Sequence, residues 1–276
     1  MKLATIRTAT GHVAVRVEGL EAVELGVEDL GCLLAQPDWV ERANSAQGRR
    51  HHTEDVDYAP VVPNPPKVFC VGLNYRLHIA ELGLRAPEYP TLFAKFASSL
   101  IGAYDDIVLP TVSTSVDWEA ELGVVIGSPA RRVSLDQAGA AIAGYTVVND
   151  ISMRDWQWRT SEWLQGKAFE ASTPVGPWLV TPDEVGNGAD LELRCEVDGE
   201  VRQRFRTSDM VFSPAEVVSY ISQFTTLVPG DLISTGTPGG VGMSRDPKVF
   251  LEPGQVVRTS VEGLGECRNH CVAEKD

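Results

Sequence analysis

Hydrophobic and polar positions alternate with a period of two along much of the chain, the signature of half-buried strands. Near the start, Leu3–Arg7 and Val13–Val17 alternate around a turn at Thr10-Gly11-His12. Glu28–Ala43 follows with the spacing of a short helix. The run Arg49-Arg50-His51-His52-Thr53-Glu54-Asp55 and the prolines 60, 63, 65 and 66 then read as an exposed loop and a linker. This predicts a small N-terminal α+β unit over residues 1–62 and a larger domain over 63–276. In the larger part, strand patterns recur at Val68–Gly72, Ile107–Leu109, Glu119–Ile126, Ala143–Val148, Trp178–Val180, Leu191–Val197, Asp231–Thr235 and Val256–Val261. Helical spacing is confined to Tyr75–Leu84, Ser134–Ile142 and Pro214–Phe224. Few helices separate the strands, so the pattern predicts a β-rich α+β fold rather than alternating βαβ units.

Bulk properties narrow the function. The chain has 276 residues, with 24 basic against 38 acidic residues and a net charge of -14. Such a surface repels nucleic-acid phosphates and anionic membranes, which argues against both as partners. An anionic substrate then needs a local positive centre. The five cysteines form no CxxC pair, and reduced thiols are the simplest reading. Residues 1–8 lack the apolar run of a signal peptide, and no stretch reaches the roughly 18 apolar residues of a membrane span. These features point to a cytoplasmic protein.

The strongest chemical signal is Asp117-Trp118-Glu119-Ala120-Glu121. On a strand, Glu119 and Glu121 share one face. Two adjacent carboxylates either face water or hold something positive between them. No basic residue is interleaved, and the strand continues apolar to Ile126. A third acid, Asp150, ends the apolar run Ala143–Val148. Three carboxylates without a neighbouring His or Cys favour a hard cation, Mg²⁺ or Mn²⁺, over zinc. His78 and Glu81 stand three apart, one face of a helix. They are either a surface contact or a pair that activates water. Lys167 and Lys95 sit among glycine and apolar residues. Lys167 either holds a carboxylate or developing enolate near the metal or lies on the surface, and Lys95 either pairs a buried acid or faces a pocket. The stretch Pro229–Gly242 is a strand with a glycine-rich loop that matches neither a phosphate-binding nor a dinucleotide-binding fingerprint.

Taken together, VGLNYRLHIAE, DWEAELGVVIG, NDISMRD, QGKAF, TPVGPW and LVPGDLISTGTPGGVG resemble the fumarylacetoacetate hydrolase family from about Lys67 to Glu262. The resemblance implies a roll- or sandwich-like mixed β domain that forms a homodimer. It implies one Mg²⁺ or Mn²⁺ per subunit on Glu119, Glu121 and Asp150. It places His78 and Glu81 on a lid as the water-activating pair. By the same carry-over, Lys167 and Gln157 face the substrate, Gly236 and Thr237 bind its carboxylate or keto oxygen, Lys95 lines the pocket, and Arg154 orients the acids from behind. Asn74 stands where long members carry an aspartate ligand, Glu170 where many have Asp, and Phe96 where Pro is usual. The implied reaction is hydrolysis of a C–C bond in a small 2,4-dioxo acid. The alternatives on the same site are oxaloacetate decarboxylation, and isomerisation or decarboxylation of 2-hydroxyhepta-2,4-diene-1,7-dioate in aromatic catabolism. A non-catalytic metal-stabilised scaffold is the remaining rival.

Overall fold

The computed structural model describes residues 1–81 and 83–275. Leu82, within the expected helix, and Asp276, at the end of the expected catalytic domain, lie outside them. The β-rich α+β architecture is present: among the described residues, two large sheets pack face to face, Val116–Asp117 and Ser152–Met153 pair as a third, two-stranded one, and short helices lie at their margins. Along the large sheet, the strands run in the order Arg50–His52, Glu21–Glu24, Gly11–Glu18, Lys2–Thr8, Thr173–Val180, Ile142–Asn149, Ala120–Ile126, Leu232–Ser234, Val68–Gly72 and Thr91–Lys95. The second sheet runs Glu200–Arg206, Glu192–Val197, Val256–Val261, Gly265–Ala273 and Ile107–Leu109.

The central strand Ala120–Ile126 is buried on both faces, which is why its apolar run is almost unbroken. Its even positions Leu122 and Val124 meet Leu193, Cys195, Val257 and Val261 of the second sheet. Its odd position Val125 joins Val148, Val175 and Leu179 in another cluster, under Leu30, Leu33 and Leu34 of the helix Leu30–Leu34. Glu121 lies on that odd face, at the N-terminal end of the strand.

Several elements differ from the pattern expected for them. The span Glu28–Ala43 is two helices, Leu30–Leu34 and Trp39–Ser45, because Pro37 cannot continue a helix. Asp29 caps the first by accepting from Cys32 N at 2.8 Å. The helix after Ser134 ends at Ala140, and Ile142 already begins a strand. Periodicity missed the strands Thr91–Lys95, Glu200–Arg206 and Gly265–Ala273. The last two are interrupted by charges on their solvent side.

Residues 1–62 share both sheet and core with the remainder. Lys2 and Leu3 pair with Val180 and Leu179. Leu3, Leu33, Val61 and Val62 pack in one cluster with Val125, Val148 and Leu232. We propose that the boundary near residue 62 divides the topology without dividing the core. Leu33→Ala should then cost about 2–5 kcal/mol, as buried large-to-small changes do. Calorimetry should show one transition for the whole chain, lowered as a unit; two transitions, with only one shifted, would contradict a shared core.

Candidate active site

Three carboxylates converge where the central strands end. Glu119 precedes the strand Ala120–Ile126, Glu121 lies within it, and Asp150 follows the neighbouring strand Ile142–Asn149. Antiparallel pairing sets Ala120 opposite Asn149 and Glu121 opposite Val148. Asp150 N donates to Glu119 O at 2.8 Å, and Glu119 N to Asn149 Oδ1 at 2.9 Å. Ligand oxygens of Glu119, Glu121 and Asp150 all lie within 4.8 Å of one another, and all three residues are buried.

The charges around them do not cancel. Arg154 Nη1 lies 2.6 Å from Glu119 Oε1, and its Nε donates to Asp117 Oδ2 at 2.8 Å. Lys167 Nζ bridges Glu119 Oε2 at 2.6 Å and Asp150 Oδ2 at 2.8 Å. Lys95 Nζ is 2.6 Å from Asp150 Oδ1 and donates to Ile151 O at 3.1 Å. Four acids, Asp117, Glu119, Glu121 and Asp150, thus face three bases, Lys95, Arg154 and Lys167. Glu121 is the acid without a base among these contacts. Its Oε2 accepts only from Ser234 Oγ at 2.5 Å and Gly236 N at 2.8 Å.

Proton affinities follow. Burial, then repulsion from Asp150 and Glu119, pushes the Glu121 carboxyl well above its usual range. Burial also opposes ionisation of Asp150, but Lys167 and Lys95 outweigh it and hold that group down to about 2. Burial disfavours the Lys167 ammonium, yet Asp150 and Glu119 raise its pKa. One missing positive charge therefore sits at Glu121. A hard divalent cation among three carboxylate oxygens would cover that deficit and leave one positive charge over for an anionic ligand. The residues fit such an ion by donor type, spacing and charge.

Local sequence explains the placement of the side chains. Lys167 ends the short helix Leu164–Lys167, which lies against Arg154–Gln157. A Cβ on Gly166 would come within 2.4 Å of Gln157 N, so only glycine permits that approach. Gly236 takes φ +98, a left-handed conformation that turns its N–H onto Glu121. The hydroxyl of Thr237 donates to Ala120 O at 3.0 Å and accepts from Gln203 Nε2 at 2.9 Å. Asn74 is buried and spent on backbone: its Nδ2 donates to Thr235 O at 2.7 Å, and its Oδ1 accepts from Phe212 N at 2.8 Å.

A cavity of about 320 Å³ opens above the acids. Glu119, Glu121, Arg154, Gln157, Lys167, His78 and Thr237 form its polar part. Leu73, Leu84, Phe93, Trp158, Trp163 and Met243 form most of the rest, with Val71 and Gly72. His78 Nδ1 is 3.5 Å from Glu81 Oε2, one helical turn along Arg76–Glu81. Lys95 is not on the cavity wall; it stands behind Asp150.

Sequence reading passed over four supporting residues. Asp117 accepts from the backbone N of Trp118, Gly242 and Met243 as well as from Arg154, tying the glycine-rich loop to the acid cluster. Asn149 holds Glu119 N and donates to Thr259 Oγ1 at 3.0 Å. Ser234 contacts Glu121 across the sheet. Gln203 reaches over from the second sheet to Ala120 N, Thr237 and Pro238 O. Asp117, Asn149 and Ser234 stood inside recognisable blocks; Gln203 had no local signal.

Comparison with known proteins agrees with this frame. Residues 67–272 match the model of the fumarylacetoacetate hydrolase C-terminal domain. The chain belongs to that family and is an enzyme. It is 44% identical over 232 residues to the mitochondrial oxaloacetate tautomerase of Rattus norvegicus, covering 84% of this chain and 74% of the relative. It superposes on the 2-hydroxyhepta-2,4-diene-1,7-dioate isomerase of Mycobacterium marinum with TM-score 0.80 and 34% identity, covering both chains fully. It also superposes on a Sphingobium maleylpyruvate hydrolase, solved with manganese(II) and pyruvate, with TM-score 0.83 and 26% identity, again covering both chains fully.

The charge imbalance is testable by folding alone. Asp117→Asn leaves buried Arg154 short of a counter-charge and should cost about 3–5 kcal/mol in urea unfolding. Glu121→Gln keeps both hydrogen bonds and removes an unpaired acid, so in metal-free protein it should cost less than about 1 kcal/mol. A larger loss from Glu121→Gln than from Asp117→Asn would contradict the assignment.

Proposed function

We propose that this enzyme binds a small 2-oxo acid in the cavity and moves a proton at the carbon beside its keto group. Glu119, Glu121 and Asp150 would hold one Mg²⁺ or Mn²⁺ per subunit. When bound, that ion supplies Lewis-acid polarisation of the keto group. The observation that carries the reading is the uncompensated carboxyl of Glu121 at the floor of a cavity whose wall bears His78 and Lys167. The names of the tautomerase relative and the isomerase neighbour support it.

The residues of the chain do the rest. His78 accepts the proton from the carbon beside the ketone, and Glu81 steadies the resulting imidazolium. The electron pair moves toward the keto oxygen, where Lys167 offsets the growing negative charge. Reprotonation at oxygen completes the shift from keto to enol. Gln157 and Thr237 orient substrate oxygens. Gly236 and Lys95 act one step back, on Glu121 and Asp150. Arg154 fixes the carboxylate plane of Glu119. The segment carrying His78 and Leu84 serves as the lid that keeps bulk water out.

Hydrolysis of a C–C bond in a 2,4-dioxo acid is the second reading. The name of the maleylpyruvate hydrolase neighbour supports it, and the contact of His78 Nδ1 with Glu81 leaves Nε2 to take a proton from water. Tyr89 and Phe224, both more than half exposed, join Tyr220 and Phe69 in a surface aromatic patch that supports a homodimer. Five unpaired thiols support a reducing compartment, the cytoplasm or a mitochondrial matrix alike. No helix among the described residues is long and apolar enough to cross a membrane.

Nuclear magnetic resonance in D₂O separates the two reactions. The Mg²⁺-loaded enzyme, given oxaloacetate and an acylpyruvate, should catalyse deuterium exchange beside the ketone, and chelation should abolish it. Pyruvate released from the acylpyruvate would favour the second reading. Neither reaction with Mg²⁺ or Mn²⁺ would overturn both. His78→Ala should slow the exchange by about 10²–10⁴-fold.

A further inference from the structure

The cavity is divided by chemistry. At one end are the acids and the Lys167 ammonium. Immediately beyond, the Lys167 Nζ lies 5.1 Å from the centre of the Phe93 ring. An aromatic wall continues from there. Phe93 meets Trp163 edge-to-face at 5.7 Å, and Trp163 meets Trp158 at 6.1 Å. Trp158 Nε1 then reaches Met243 Sδ at 3.2 Å. Leu84 lines the same end from the lid side.

Two of these residues are unusually wet for their type. Trp158 is 56% exposed and Leu84 is 51% exposed, although both line the cavity. Large apolar surface turned into a cavity gains most by contact with an apolar ligand group. Among the described lining residues, no free cation stands at this end. Lys167 is bound to Glu119 and Asp150, and Arg154 to Asp117, Glu119 and Gln157. The remaining nitrogen of Arg154, Nη2, is buried without a hydrogen-bond partner, on the guanidinium that holds Glu119. The cavity of about 320 Å³ is also far larger than a four-carbon acid needs.

We propose that the substrate carries an uncharged apolar or aromatic substituent beyond its 2-oxo acid head, seated between Phe93, Trp158, Trp163, Met243 and Leu84. The inference rests on the 2-oxo acid reading and goes past it.

Calorimetric titration of the Mg²⁺-loaded full chain tests it, with phenylpyruvate, 2-oxoglutarate and pyruvate as probes that share one head and differ in tail. Phenylpyruvate should bind at least about tenfold tighter than either of the others, the range a filled apolar pocket gives. Trp163→Ala should shrink that advantage. Trp158→Ala, at an exposed position where folding is not at risk, should shrink it as well. Equal or tighter binding of 2-oxoglutarate by the unaltered chain would overturn the apolar-tail inference and leave the 2-oxo acid reading intact. Failure of all three probes to bind would overturn both.

Discussion

Four carboxyl groups and three basic groups are shut together beneath one cavity, and the unbalanced charge falls on Glu121. Ionised carboxylates are costly to bury without partners. Asp117, Glu119 and Asp150 each have a cation within 2.8 Å. Glu121 has two hydrogen-bond donors and no cation among its contacts, so as folded it is held toward its neutral form. The site is therefore built for one more positive charge, and much of the surrounding structure serves to keep that deficit in place.

The two-sheet architecture makes this arrangement rigid. The strand Ala120–Ile126 is packed on one side by the second sheet and on the other by the N-terminal helix. Its acids cannot swing out to water. Gln203 crosses from the second sheet to Ala120 N, and Asn149 crosses the other way to Thr259. Asp117 binds the backbone of the loop at 242–243 while holding Arg154, so loop and acid cluster form one body. A preorganised site of this kind does not have to reorganise when charge develops in the substrate. The aromatic wall from Phe93 to Trp158 lines the same cavity.

Much of this was legible in the sequence, and the reasons for success and failure are physical. The spacing of Glu119 and Glu121 on one strand face left a solvated face and a shared positive partner open, and the apolar run that follows favoured the partner. Asp150 declared itself as an acid at the end of a buried strand. The Lys95 reading left pairing with a buried acid and pocket lining open; its Nζ lies on Asp150. The break at Pro37 was visible in the chain but was overridden by the helical spacing around it. Long-range partners were not legible. Gln203 and Ser234 owe their contacts to sheet order, which local periodicity does not encode. The aromatic wall escaped for the same reason: Phe93, Trp158 and Trp163 come from three separate segments that meet only in the folded chain.

The claim on which the rest depends is that a cation completes the charge of Glu119, Glu121 and Asp150. Anomalous X-ray scattering from crystals of the protein grown with Mn²⁺ addresses it without reference to any reaction. The account predicts a single strong peak within bonding distance of an oxygen from each of the three carboxylates, with Glu121 among the ligands. Absence of a peak there at saturating Mn²⁺, or a peak that leaves Glu121 uncoordinated, would contradict it.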